Sequence, residues 1–182
     1  KGVLADENMK AIARARREHG QSYPEPGFSE QDPEELCASA LAIIKSLLEN
    51  AGIGMGDVSA IGIDHQGETC LIWDRRTGKP VYPAITWQDR RASAEAKELR
   101  ELCGERIQAV TGLMPDSYYS ALKLRWILDH TADGRRRAQG GELLAGTLNT
   151  YILWKLSGKR IFATDVCSAG CTMLFDPREN EW

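Results

Sequence analysis

The run Cys70-Leu71-Ile72-Trp73 gives way to a turn-forming stretch containing Gly78 and Pro80, and then to Val81-Tyr82. Apolar, strand-favouring residues on both sides of a turn read as a β-hairpin. The reversal brings two polar clusters toward one another at a sheet edge: Gln66-Gly67-Glu68-Thr69 before the hairpin and Trp87-Gln88-Asp89-Arg90-Arg91 after it. Together they supply a carboxylate, amides, an indole and guanidinium groups. Such a set suits a small polyhydroxylated ligand, because a carboxylate accepts hydrogen bonds from neighbouring hydroxyls and an indole face covers C–H surface.

Around this hairpin the pattern alternates. Val3-Leu4-Ala5, a turn at Asp6-Glu7-Asn8 and the stretch Met9 to Arg17 read as a first hairpin. After a loop at Pro24, Pro26 and Gly27, Asp32 reads as an N-cap, with Pro33 at the first helical position and Glu35 placed for a capping box. Leu36, Ala40, Ile43, Ile44, Leu47 and Leu48 continue at helical spacing to Gly52. Val58 to Ile63 reads as a short, central, buried strand. Further helices are expected over Ala92–Leu102, Glu105–Val110 and Tyr119–His130. A strand follows at Leu143–Ala145, then a helix from about Thr147 to Gly158, and Thr172–Phe175 closes as a strand or extended segment. Hairpins followed by alternating helices and strands predict an α/β domain with a mixed sheet.

Composition narrows the function classes. The 182 residues carry 23 Lys+Arg against 26 Asp+Glu, a formal charge of −3, which points to neither nucleic acid nor an anionic membrane as partner. Arg135-Arg136-Arg137 reads as a solvated face. The five cysteines (Cys37, Cys70, Cys103, Cys167, Cys171) lack CxxC spacing and do not pair with His19, His65 or His130 at zinc-site distances. Free thiols, a cytoplasmic location and no metal ligands are therefore expected. The start at Lys1 and the stop at Trp182 read as the ends of a fragment of something longer.

A family resemblance joins these pieces. The segments Tyr23-Pro24-x-Pro26-Gly27, Ile61-Gly62-Ile63-x-x-Gln66-x-Glu68-Thr69, Thr77-Gly78-Lys79-Pro80 and Trp87-Gln88-Asp89-Arg90-Arg91 resemble carbohydrate kinases of the FGGY family. Thr111-Gly112-Leu113, Lys123-Leu124-x-Trp126-Ile127-Leu128-Asp129, Gly141-Glu142-Leu143-Leu144 and Thr164-Asp165 look most like its glycerol kinase branch. The resemblance implies a ribonuclease H-like (actin-like ATPase) fold with flanking helices, residues 1–182 being part of the amino-terminal, substrate-binding domain. It also implies transfer of the γ-phosphoryl of Mg-ATP to a polyol or sugar hydroxyl. Carried over by motif, Glu68 holds substrate hydroxyls, Trp87 flanks the polyol, and Tyr118, within Asp116-Ser117-Tyr118-Tyr119-Ser120, adds a further contact. Tyr119 is the alternative if the alignment slips by one.

Two departures follow from the same comparison. Gly67 stands where the family has arginine, which implies a polyol or sugar larger than glycerol or differently hydroxylated. The Asp-x-Gly-Thr phosphate loop, the catalytic aspartate and the second domain find no counterpart here, so no catalytic residue is assigned and the fragment alone is expected to be inactive. ATP and Mg2+ are cofactors of the parent enzyme. The competing reading is a non-catalytic sugar-binding or regulatory module derived from such a kinase. A homo-oligomer stays open, although no heptad supports a dedicated oligomerisation domain. Gln66, Asp89, Arg90 and Arg91 read as structural, the arginines pairing with Glu95 or a nearby carboxylate. His65 reads as a satisfied loop histidine, and Asp165 is not taken as the base.

Overall fold

The computed structural model describes all 182 residues, Lys1–Trp182. They form two compact units, Lys1–Gly20 with Glu34–Asp64, and Gln21–Pro33 with His65–Trp182.

In the first unit, β1 (Gly2–Ala5) and β2 (Ala11–Ala15) make the expected antiparallel hairpin, with Leu4 opposite Ala13. Asp6 organises its turn by accepting the N–H groups of Asn8 and Lys10. Helix α1 (Pro33–Ala51) begins at Pro33, as Pro and its acidic first turn predict. The Glu35 carboxylate accepts the Gly20 N–H, tying the helix start to the chain that leads into it. Leu36, Cys37 and Leu47 are buried. A Cβ added to Gly2 would lie 2.5 Å from Ile43 Cγ2 and 2.9 Å from Leu47 Cδ1, so glycine permits the close approach of ribbon and helix. Gly52 ends α1 at φ 68°.

Val58–Ile63 departs from the sequence reading. It follows a 3₁₀ turn at Met55–Asp57, but it forms no ladder and is not buried; Ile61 is 47% exposed. Its apolar, β-branched composition favours an extended backbone, yet a strand needs a neighbour to receive its N–H and C=O groups. None of the strands present pairs with it.

The second unit is built on a four-stranded sheet in the order β3-β5-β4-β6, comprising β3 (Glu30–Gln31), β4 (Cys70–Asp74), β5 (Ala84–Ile85) and β6 (Leu143–Thr147). Every ladder in it is antiparallel, so this sheet is not the mixed one expected. The central hairpin forms in part: the chain turns back through an isolated bridge between Trp73 and Pro80, Val81 N–H donates to Ile72 C=O at 2.9 Å, and Asp74 accepts the Thr77 N–H and hydroxyl across the turn. Val81 and Tyr82 form no strand, and the ladder resumes only at β5. Cys70, Leu71, Ile72 and Trp73 are almost wholly buried, which explains a continuous apolar run rather than an alternating one. Trp73 packs against Tyr151 and Trp154, while Ile72 joins Ile85 and Ile127.

The helices are α2 (Ser93–Thr111), α3 (Ser120–Asp129), α4 (Gly134–Gln139), α5 (Leu148–Leu156) and α6 (Val166–Gly170). The backbone of α2 breaks at Cys103 (φ −153°), so the two helices read from sequence are its two halves. The arginine run lies on α4, with Arg137 paired to Asp74 and Glu142. Thr172–Phe175 is not a strand. Thr172 accepts the Leu174 N–H and donates to Ala169 C=O, and Met173 takes φ 64°, so the segment turns while still burying Met173 and Phe175. No helix is long and apolar enough to cross a membrane.

Candidate functional site

Glu68 sits at the entry to β4, in a turn closed by the Thr69 N–H on Gln66 C=O at 3.0 Å. The Gln66 side chain serves this scaffold: its amide donates to Gln31 and its oxygen accepts the Thr69 hydroxyl. The Glu68 side chain is free for other work. Its carboxylate lies near enough to the Tyr118 phenol and the Cys171 thiol to shift the titration of both. Burial, then the neighbouring Glu68 carboxylate, raises the Tyr118 pKa above the ordinary phenol range. Burial and the neighbouring carboxylate charge push the Cys171 thiol up to about 11, so it stays a protonated donor near neutral pH.

Trp87 follows β5 and is 41% exposed, unusual for so large an apolar side chain. Its ring meets that of Tyr118 edge to face, with centroids 6.2 Å apart at 75°. Asp116 Oδ1 accepts the Tyr118 N–H at 2.9 Å and fixes the backbone that presents the phenol. The neighbouring Tyr119 packs instead against the cluster of Ala92, Ala96, Leu122 and Met173. Of the two tyrosines, Tyr118 is therefore the one that meets the Trp87 ring, while Tyr119 faces the core. Above Gly67 there is room: the nearest atom to an added Cβ is Cys171 Sγ at 3.5 Å, an ordinary contact.

Glu68, Trp87 and Tyr118 thus come together beside Gly67, with one carboxylate, one phenol, one thiol and an open indole face. The chemistry available is hydroxyl recognition, as the carboxylate is the strongest acceptor and apolar ring surface stands alongside.

The remaining polar residues belong to the framework. Arg91, with its side chain wholly buried, forms a fork on Asp89 (2.9 Å for each of two bonds) and reaches Glu30 at 2.7 Å. Its guanidinium lies between the rings of Phe28 (3.9 Å) and Trp126 (4.3 Å). Arg90 pairs with Asp116, so neither arginine uses Glu95. His65 is satisfied by Gln66 C=O and the Ser168 hydroxyl. Asp165 caps α6 through the Ser168 N–H, and the bonds it accepts from Ser168 hold its carboxyl below the usual range. A mainly apolar cavity of about 370 Å3, lined by residues including Leu124, Thr150, Phe162 and Leu174, contains none of the three clustered residues.

Sequence reasoning missed Cys171, which reaches Glu68 from about a hundred residues downstream, across a segment with no local signal. It also assigned no role to Lys123, whose buried ammonium donates to the Glu68 carbonyl at 2.8 Å.

Known proteins resemble the whole chain. The model of the FGGY family of carbohydrate kinases, N-terminal domain, matches residues 1–182. Glycerol kinase of Polaromonas naphthalenivorans is 45% identical over 183 residues, covering 100% of this chain and 37% of that protein. Glycerol kinase of Paracidovorax citrulli is likewise 45% identical, with 36% of its length covered. Among solved structures, Plasmodium falciparum glycerol kinase with ADP superposes at a TM-score of 0.91 and 30% identity, over 99% of this chain and 36% of that one. A ligand-bound xylulose kinase from Lactobacillus acidophilus shares the fold, with a TM-score of 0.83 at 22% identity over 99% of this chain and 35% of that one. The chain spans 36–37% of the length of these curated relatives. It belongs to the FGGY family of carbohydrate kinases.

Proposed function

We propose that these residues are the acceptor-binding part of the amino-terminal domain of a cytoplasmic, ATP-dependent polyol or sugar kinase. Glu68 accepts hydrogen bonds from the acceptor hydroxyls, Trp87 covers the C–H face, and Tyr118 completes the wall. What carries the reading is the convergence of Glu68, Tyr118 and the exposed Trp87 indole beside an open position at Gly67. Phosphoryl transfer depends chiefly on positioning and on neutralising charge, and this cluster serves the first of these.

The donor half is a different matter. No group of three or more His, Cys, Asp or Glu converges, and the cluster holds a single carboxylate beside a phenol and a thiol. These residues are assigned no part in holding Mg-ATP. Nucleotide and metal binding are assigned to the part of the relatives' length that these residues do not span. Accordingly, the 182 residues alone are expected to bind acceptor without phosphorylating it. ATP-dependent phosphorylation of a polyol or sugar by the full gene product tests the kinase reading; no turnover of any polyol, aldose or ketose would leave only a non-catalytic binding module.

Gly67 sets the acceptor class. An arginine there adds up to five donors, whereas glycine leaves space, which favours a polyol or sugar larger than glycerol or differently hydroxylated. Gly67→Arg is expected to shift the ratio of kcat/KM values toward glycerol by about tenfold, the scale of a specificity change made by pocket contacts. An unchanged ratio would count against the role of Gly67.

A further inference from the structure

Lys123 is wholly buried on the first turns of α3. Lysine is rarely buried unless its charge is compensated, because taking an ammonium out of water is costly. The usual compensation is a carboxylate in contact. Here the three hydrogen-bond partners of Nζ are main-chain carbonyls: Tyr118 at 2.7 Å, Glu68 at 2.8 Å and Thr86 at 3.3 Å. An ammonium has three protons and no lone pair, so the group is saturated by these acceptors. Burial pulls the Lys123 pKa down, opposed by the nearby Cys70, Asp89 and Glu68.

The identity of the three carbonyls gives the arrangement its meaning. They belong to three separate segments: the turn before β4, the end of β5, and the loop before α3. Two are the carbonyls of Glu68 and Tyr118 themselves. The third, of Thr86, is bonded to the nitrogen of Trp87 and sets the peptide plane from which the indole departs. A second donor on the same helix reinforces one of them, since the Ser120 hydroxyl also donates to the Glu68 carbonyl, at 3.2 Å. For stability alone, an apolar side chain of similar length would often serve a buried position as well or better.

We propose that Lys123 is a positioning residue of the acceptor site, its ammonium fixing the backbone from which Glu68, Trp87 and Tyr118 project. The inference rests on the reading of those three residues as the acceptor site. A displacement of about 1 Å at a reacting centre costs up to about a hundredfold in rate, so the constraint matters more to substrate placement than to folding.

Lys123→Met keeps the length of the side chain and removes all three donors. In the full gene product it is expected to lower kcat/KM for the best polyol by about ten- to a hundredfold, mainly through KM, while KM for ATP stays within about twofold. Ser120→Ala, which keeps the cation and removes the second donor on the Glu68 carbonyl, is expected to raise the polyol KM about two- to fivefold. That milder variant decides the matter if Lys123→Met fails to fold. An unchanged polyol KM in the variants that fold, or a parallel rise in the KM for ATP, would overturn the positioning role. Glu68→Ala measured alongside separates the two ideas: if it leaves the polyol KM unchanged, the site reading fails and takes this inference with it.

Discussion

Arg91→Met is expected to lower the unfolding free energy of the chain by about 3–5 kcal/mol, the cost of removing one partner from a buried ion cluster. The arginine side chain is inaccessible to solvent, as is Asp89, and Glu30 is nearly so. Methionine replaces the volume between Phe28 and Trp126 but leaves two carboxylates without their cation. Each keeps some support: Asp89 retains the N–H groups of Ser29 and of residue 91, and Glu30 retains the Tyr82 hydroxyl at 2.7 Å. That places the loss toward the lower part of the range. Arg91→Lys restores charge but not the planar fork and is expected to recover only part of it. Urea unfolding of the variants measures the difference; a loss below about 1 kcal/mol would mean the cluster contributes little to holding this unit together.

The second large effect falls on activity. Glu68→Ala in the full gene product is expected to reduce kcat/KM for the acceptor by about 10²–10⁴-fold, because two hydrogen bonds from substrate hydroxyls to a carboxylate contribute about 1.5–3 kcal/mol each. Folding should be little affected. The Glu68 side chain is only half buried, and its links to the scaffold run through the carbonyl, which alanine keeps. A variant with unchanged kcat/KM and unchanged stability would remove Glu68 from the site.

How much of this was legible in the sequence depends on how local the determining physics is. The turn of the central hairpin, α1 with its Pro33 start and Gly52 stop, and the helix beginning near Thr147 were readable because turn chemistry and periodicity act over a few residues. Val58–Ile63 was misread because composition states only a preference for extended backbone, whereas a strand requires a neighbour. Thr172–Phe175 was misread for the opposite reason: the apolar residues are buried as expected, but the Thr172 hydroxyl captures the backbone and turns it. At the proposed acceptor site, the motifs pointed to Gly67, Glu68, Trp87 and Tyr118, and the structure brings their neighbourhood together. Cys171 and Lys123 were not legible, since each acts through contacts with residues distant in sequence: Cys171 with the Glu68 carboxylate, Lys123 with the Glu68 and Thr86 carbonyls as well as that of nearby Tyr118. Lys123 heads a family-like segment that by itself assigns it no role, and Cys171 lies in no such segment.

The most direct test of the acceptor site is a crystal structure of the full gene product with the polyol it phosphorylates best. The account predicts that at least one substrate hydroxyl donates to the Glu68 carboxylate, with the Trp87 ring over the C–H face and the chain of the polyol passing Gly67. A polyol bound away from Glu68 and Trp87, with that cluster left to solvent, would contradict it.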